Sequence, residues 1–330
     1  MPALSLLTGI ISSPPQVVDV DVKQCLRKRL RSCDCSHCID SCPAGALSLK
    51  SREVFLDIQK CSNCMQCIAV CPNDAFLLPG YDFDSKYRSI QNRERIFFTC
   101  SKQSYGHPED QIVPCMGVFS IELLLVLGMT GPPVISFNVS GCLTCENKTI
   151  SDSFVNILEY LEEHVSPLLT SKFDVVRDRS VAEYSESDSR RDFISSVGNS
   201  CISTFKSQFW SEKTEITDTS FKTRRIPYKT RLIKNLIDLV DSEEKELITS
   251  LCFHQVSINS KCTFCPLCTG ICPTGAIKID RSNGEKRFLF NAALCSGCGL
   301  CVSFCKNNAI SIQHPFVSQV SKLKDTESCC

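Results

Sequence analysis

The chain has 330 residues, room for two or three domains, and its 36 Lys and Arg balance 36 Asp and Glu. With no excess of either sign, neither nucleic acid nor an anionic membrane surface is an expected partner. What stands out is 25 Cys beside one Trp and five His, a density that calls for disulfides, zinc or iron–sulfur clusters.

The N-terminal segment, residues 1–24, begins "MPALSLLTGIISSPP", without the positive start or the apolar run of a secretory signal. The longest apolar candidate, "VFSIELLLVLGMTGPPVISF" (118–137), is broken by Glu122, two Gly and a Pro pair. No stretch reaches the ~18 apolar residues of a membrane span. A cytoplasmic chain without a span is expected, with thiols kept reduced and open to metal.

Residues 25–80 hold two cysteine-rich copies, "CDCSHCIDSCPAGALSL" from Cys33 and "CSNCMQCIAVCPNDAFLL" from Cys61. The second follows C-x2-C-x2-C-x3-C-P, a spacing that wraps one loop around an iron–sulfur cube and sends the fourth cysteine to a neighbouring one. Zinc prefers two separated C-x2-C pairs. Residues 90–170 change texture. "RERIFFTC" (93–100) and "QIVPC" (111–115) read as strands, "VFSIELLLVL" (118–127) as a helix, "PPVISFNVSGC" (132–142) as a strand and "TISDSFVNILEYLEEH" (149–164) as an amphipathic helix. Such alternation predicts a small parallel α/β domain, whose carboxyl-end loops would gather Cys100, Cys115, Cys142 and Cys145.

Residues 171–250 read as a polar linker with helices, "TRLIKNLIDLV" (230–240) being an apolar-striped helix expected to pack. "SRRDFI" (189–194) reads as a helix start rather than an export signal, and His107 as a solvated loop residue. Cys201 and Cys252 read as spare or core thiols. Residues 251–315 bring two more copies, "CTFCPLCTGICPTGAIKI" from Cys262 and "CSGCGLCVSFCKNNAISI" from Cys295. The tail, 316–330, ends on Cys329 and Cys330 without a lipidation motif.

The paired copies at 33–78 and 262–312 each resemble a bacterial two-cluster ferredoxin of the βαββαβ type. The fold class expected is therefore α+β, with two 2[4Fe-4S] modules flanking the parallel α/β domain. The resemblance implies crossed ligation and four [4Fe-4S] clusters. Cys61, Cys64 and Cys67 would share a cube with Cys42, Cys262, Cys265 and Cys268 with Cys305, and Cys295, Cys298 and Cys301 with Cys272. In the first copy Ser32 stands at the first-ligand position and Cys33 comes one residue late. Cys33, Cys35, Cys38 and Cys71 form the preferred set, with Cys25 or a three-iron cluster as alternatives. Lys306 stands where the fourth copy should have Pro, and would raise the potential of its cube.

The string "FTC…VPCMG…ELLL…GCLTCEN" resembles the small iron–sulfur subunit of methyl-viologen-reducing hydrogenase and its heterodisulfide-reductase relatives. That resemblance implies a [2Fe-2S] cluster and partners such as a hydrogenase, a dehydrogenase or a flavoprotein. Cys100 is followed by "SKQSYGH" where the family has a second cysteine, so zinc or a degenerate docking site are the alternatives. The chain has no G-x-G-x-x-G, P-loop, G-x-S-x-G or H-E-x-x-H. A non-catalytic electron-transfer subunit is expected before an assembly factor, a redox sensor or a reductase.

Overall fold

The computed structural model describes residues 18–81, 83–103, 110–165, 172–177 and 224–315. Residues 1–17, His107, "SRRDFI", Cys201, and the tail with Cys329 and Cys330 lie outside them.

The chain opens with β1 (Asp19–Val20), α1 (Leu26–Arg29), α2 (His37–Asp40), β2 (Leu47–Lys50), β3 (Glu53–Leu56), α3 (Gln66–Val70) and β4 (Phe76–Leu77). The first strand pairs antiparallel with the last, and β2 with β3. Ser51 and Arg52, at φ 51° and 70°, turn the β2–β3 hairpin in the left-handed sense that matches strand twist.

Helix α4 (Phe83–Ile90) leads into a sheet of β5 (Arg95–Cys100), β6 (Asp110–Val113), β7 (Val134–Asn138) and β8 (Phe173–Val176). The order is β6-β5-β7-β8 and every pairing is parallel. The chain crosses from β6 to β7 through α5 (Ile121–Thr130) and from β7 to β8 through α6 (Lys148–His164). Ser120 caps α5 by accepting from the Leu123 N–H, and Ile121 and Leu123–Leu127 are all buried. A helix apolar all round must be covered on two sides, and α7 (Tyr228–Ile237) packs on α5 with Leu232, Ile233 and Leu236 buried. Phe98, Phe119, Phe137 and Phe154 fill the core at ring separations of 5.0–5.7 Å.

Two parts of the span read as a linker belong to this core. Phe173–Val176 forms the edge strand of the sheet, and α7 with α8 (Ser242–Cys252) adds Ile248 and Leu251 to it. Arg231 pairs with Asp84 at 3.0 Å, tying α7 to α4.

The chain then repeats its opening topology. Strand β9 (Gln255–Ile258) precedes α9 (Leu267–Ile271), β10 (Ile277–Asp280), β11 (Arg287–Phe290), α10 (Leu300–Phe304) and β12 (Ile310–Gln313). Again the first strand pairs with the last and the middle two pair with each other. The whole is a mixed α/β structure built around one parallel sheet. Among the described residues no helix is long and apolar enough to cross a membrane.

Candidate metal centres

The cysteine loops follow one local plan. The residue three beyond the fourth cysteine is left-handed in every copy: Gly45 (φ 57°), Asp74 (49°), Gly275 (76°) and Asn308 (48°). In three copies the resulting turn aims a backbone N–H at sulfur. Ala46 donates to Cys42, Ala75 to Cys71 and Ala309 to Cys305, each at 3.3 Å. Donors at the sulfur favour thiolate over thiol. A second left-handed residue, Asn63, Phe264 or Gly297, precedes the second cysteine of three copies and curls the loop.

Mutual electrostatics sort the thiols into groups. Burial raises the pKa of Cys64 and Cys67, and Cys42 and Cys61 raise both further. Burial likewise pushes Cys35 up to about 11 and Cys38 to about 12, with Cys71 and Cys25 adding to both and Cys33 to Cys35. In the C-terminal module Cys272 bears on Cys295, Cys298 and Cys301. Cys262 and Cys265 bear on Cys268, and Cys305 packs against the apolar cluster of Cys268 and Cys301. Cluster ligands are thiolates, so filling such sites displaces protons.

Cys100 ends β5, Cys115 follows β6, and Cys142 and Cys145 bracket a short turn between β7 and α6. All four lie at the carboxyl ends of parallel strands. Cys115 is pushed up to about 12, by burial first and then by Cys64, Cys100 and Cys142. Cys142 is raised by burial, then by Cys100 and Cys145, while the Ser151 hydroxyl opposes the rise. This quartet rests on the first module. Asn147 Nδ2 donates to the Ser62 carbonyl at 3.1 Å, and a Cβ on Gly117 would stand 2.2 Å from the Cys64 carbonyl.

The groups adjoin one another in series. Cys64 bears on Cys115, Cys38 on Cys67, and Cys33 on Cys298. The last contact joins modules far apart in sequence. There Leu26, Leu30 and Cys33 are buried with Leu300, against Cys298, Ile271 and Phe304. Arg29 Nε donates to the Ile271 carbonyl at 3.0 Å, and Arg224 Nη2 to the Thr269 carbonyl at 3.0 Å.

Two charges deserve contrast. Lys306 is exposed, so solvent screens it from the neighbouring thiols. Lys229, on α7, donates to the Ala69 carbonyl and lowers the pKa of Cys71 against the stronger effect of burial. Sequence reading did not find Lys229, because nothing local links it to Cys71.

Among the described residues no three of His, Cys, Asp and Glu converge as around one bare ion. Zinc holds its thiolates at ~2.3 Å from a single centre. A cube stands between its thiolates, and the backbone N–H groups aimed at Cys42, Cys71 and Cys305 suit the sulfurs of such a site.

Residues 261–309 match the 4Fe-4S dicluster domain family and residues 54–77 the 4Fe-4S binding domain family. The chain thus carries two ferredoxin-type iron–sulfur domains, which points to a role in electron transfer. Residues 90–170, with the hydrogenase-subunit resemblance, fall outside both matches. No curated protein matches the chain.

Proposed function

We propose that the protein is an electron relay of four [4Fe-4S] clusters, acting as a non-catalytic subunit between a hydrogenase or other dehydrogenase and a flavoprotein or heterodisulfide-reductase-like acceptor. Cys42, Cys61, Cys64 and Cys67 hold one cube. Cys272, Cys295, Cys298 and Cys301 hold a second, and Cys262, Cys265, Cys268 and Cys305 a third. Cys35, Cys38 and Cys71 hold the fourth, with one thiol from the pair Cys25 and Cys33. A cube so bound takes up and releases one electron at a time.

The observation that carries this reading is the succession of thiol groups from Cys115 through Cys64, Cys67, Cys38, Cys35, Cys33 and Cys298. The chain's own residues space the groups, exclude water by burial and donate N–H groups to sulfur. At one end Cys265 is exposed, and at the other Leu143, between Cys142 and Cys145, is 70% exposed. Both ends are therefore open to redox partners. Cys100, Cys115, Cys142 and Cys145 offer four thiolates for a [2Fe-2S] cluster at the partner-facing end.

Anaerobic iron and sulfide assays test the reading. Four cubes need about 16 iron and 16 sulfide per chain, and a [2Fe-2S] cluster about two more of each. Cys142→Ser is expected to remove only the extra two and their paramagnetic signal. Fewer than about twelve irons, or stoichiometric zinc, would sink the four-cube relay.

A further inference from the structure

We propose that Cys25, not Cys33, is the first ligand of the irregular N-terminal cube, and that the nine residues 26–34 stand where the other copies have two, a seven-residue insertion between its first and second ligands. The inference rests on the four-cube reading and decides which thiol completes it.

Backbone register carries the assignment. Before each regular copy the chain makes a like turn, one residue shorter before Cys262 than before Cys61 and Cys295. Asp57, Asn259 and Asn291 each donate their N–H to an alanine carbonyl, that of Ala46, Ala309 and Ala276, at 2.8–3.0 Å. Their side chains accept the N–H two residues on, from Gln59, Lys261 and Ala293. The first cysteine then donates its N–H three residues back, Cys61 to Ile58, Cys262 to Asn259 and Cys295 to Ala292. Asp21 repeats every feature. It donates to the Ala75 carbonyl at 2.8 Å and accepts from the Lys23 N–H, and Cys25 donates to the Val22 carbonyl at 3.2 Å. Cys25 thus stands where Cys61, Cys262 and Cys295 stand. The sequence carries the same sign, since "DVKQC" (21–25) parallels "DIQKC" (57–61).

A side-chain bond fixes the partner cysteine too. Asn307, two residues after Cys305, donates Nδ2 to the Lys261 carbonyl at 3.3 Å, just before Cys262. Asn73, two residues after Cys71, donates Nδ2 to the Gln24 carbonyl, just before Cys25. The pair of Cys25 and Cys71 therefore reproduces the pair of Cys262 and Cys305.

Residues 26–34 are a pinned excursion. Arg27 holds the carbonyls of Asp34 and Cys35, Lys28 pairs with Glu53, and Arg52 donates to the Arg31 carbonyl. The excursion presents Leu26, Leu30 and Cys33 to the other module, where Cys33 bears on Cys298. Cys25 bears on both Cys35 and Cys38, whereas Cys33 bears on Cys35 and is not among the groups acting on Cys38. Cys33 is thus a packing thiol at the junction of the modules, and Cys25 closes the cube.

The test compares Cys25→Ala, Cys33→Ala and a deletion of residues 27–33 in the full chain, each loaded with iron and sulfide under anaerobic conditions. The deletion leaves Cys25-Leu26-Asp34-Cys35, an uninterrupted C-x2-C, and removes Cys33. Cys25→Ala is expected to lose one cube of four or convert it to a three-iron form with a new signal in the oxidised protein. Cys33→Ala and the deletion are expected to keep all four. If Cys25→Ala does not fold, the deletion still decides, because it keeps Cys25 alone. Four cubes in Cys25→Ala, or three in both Cys33→Ala and the deletion, would overturn the assignment. Wild-type protein without four cubes fails the relay reading instead, before any variant is compared.

Discussion

Replacing Gly117 by alanine places a methyl group 2.2 Å from the Cys64 carbonyl and 2.6 Å from Cγ2 of Ile150. Carbon atoms settle at about 3.5–4.0 Å, so one side must retreat by more than about 1 Å. The carbonyl belongs to a cysteine loop, and Gly117 lies in the buried turn Met116–Val118 against α6. Neither is a flexible side-chain tip. Overpacking of this kind costs about 1–3 kcal/mol, which lowers Tm by about 2–12 °C at about 2–4 °C per kcal/mol. Calorimetry of the anaerobically loaded protein measures the fall. Paramagnetic resonance should show the perturbation at the cube of Cys64 and at the Cys115 quartet, with the C-terminal cubes unchanged. Gly270→Ala is the control: its Cβ meets nothing within 4 Å, and it should be neutral or stabilising by up to about 1 kcal/mol. Equal Tm values for wild type and Gly117→Ala would refute the close packing of the sheet domain on the first module.

Lys229→Met should lower the potential of the cube at Cys71, since it removes a cation whose field reaches that sulfur; Lys306→Pro should move its own cube less, and a redox titration ranking them the other way would contradict the burial argument. His254 has its pKa lowered to about 4, by burial first and then by His314. The unfolded chain therefore binds more protons between about pH 6.5 and 4, so this stability is present above that window and lost as pH falls through it. His254→Phe should flatten the acid side of a Tm-against-pH curve; an unchanged slope would assign acid lability to other groups.

The four cysteine runs were legible in the sequence because cube ligation is set by local spacing, and the strand–helix alternation of 93–164 was legible from hydrophobic pattern. Strand Phe173–Val176 was not, since four residues carry too little periodicity and only the open edge of β7 makes them a strand. Cys25 was readable, but from the register of "DVKQC" on "DIQKC" rather than from counting back along one motif. The insertion breaks the count, while the turn before it is intact. Lys229, Gly117 and the contact of Leu30 with Leu300 leave no local trace. Each is defined by a partner brought near only by tertiary packing, and a pattern of thiols says nothing about which face of a module is covered.

The contact between Arg29 and Ile271 spans 242 residues of chain. At synthesis rates of about 5–20 residues per second, the first module waits about 12–48 s before its partner surface leaves the ribosome. During that time Leu26 and Leu30 lack Leu300, Ile271 and Phe304, the C-terminal side chains they pack against. Slow synthesis and cold both lengthen the wait. The cell's demand for chaperone cover should therefore peak at the N-terminal module, in the half-made chain rather than the finished one.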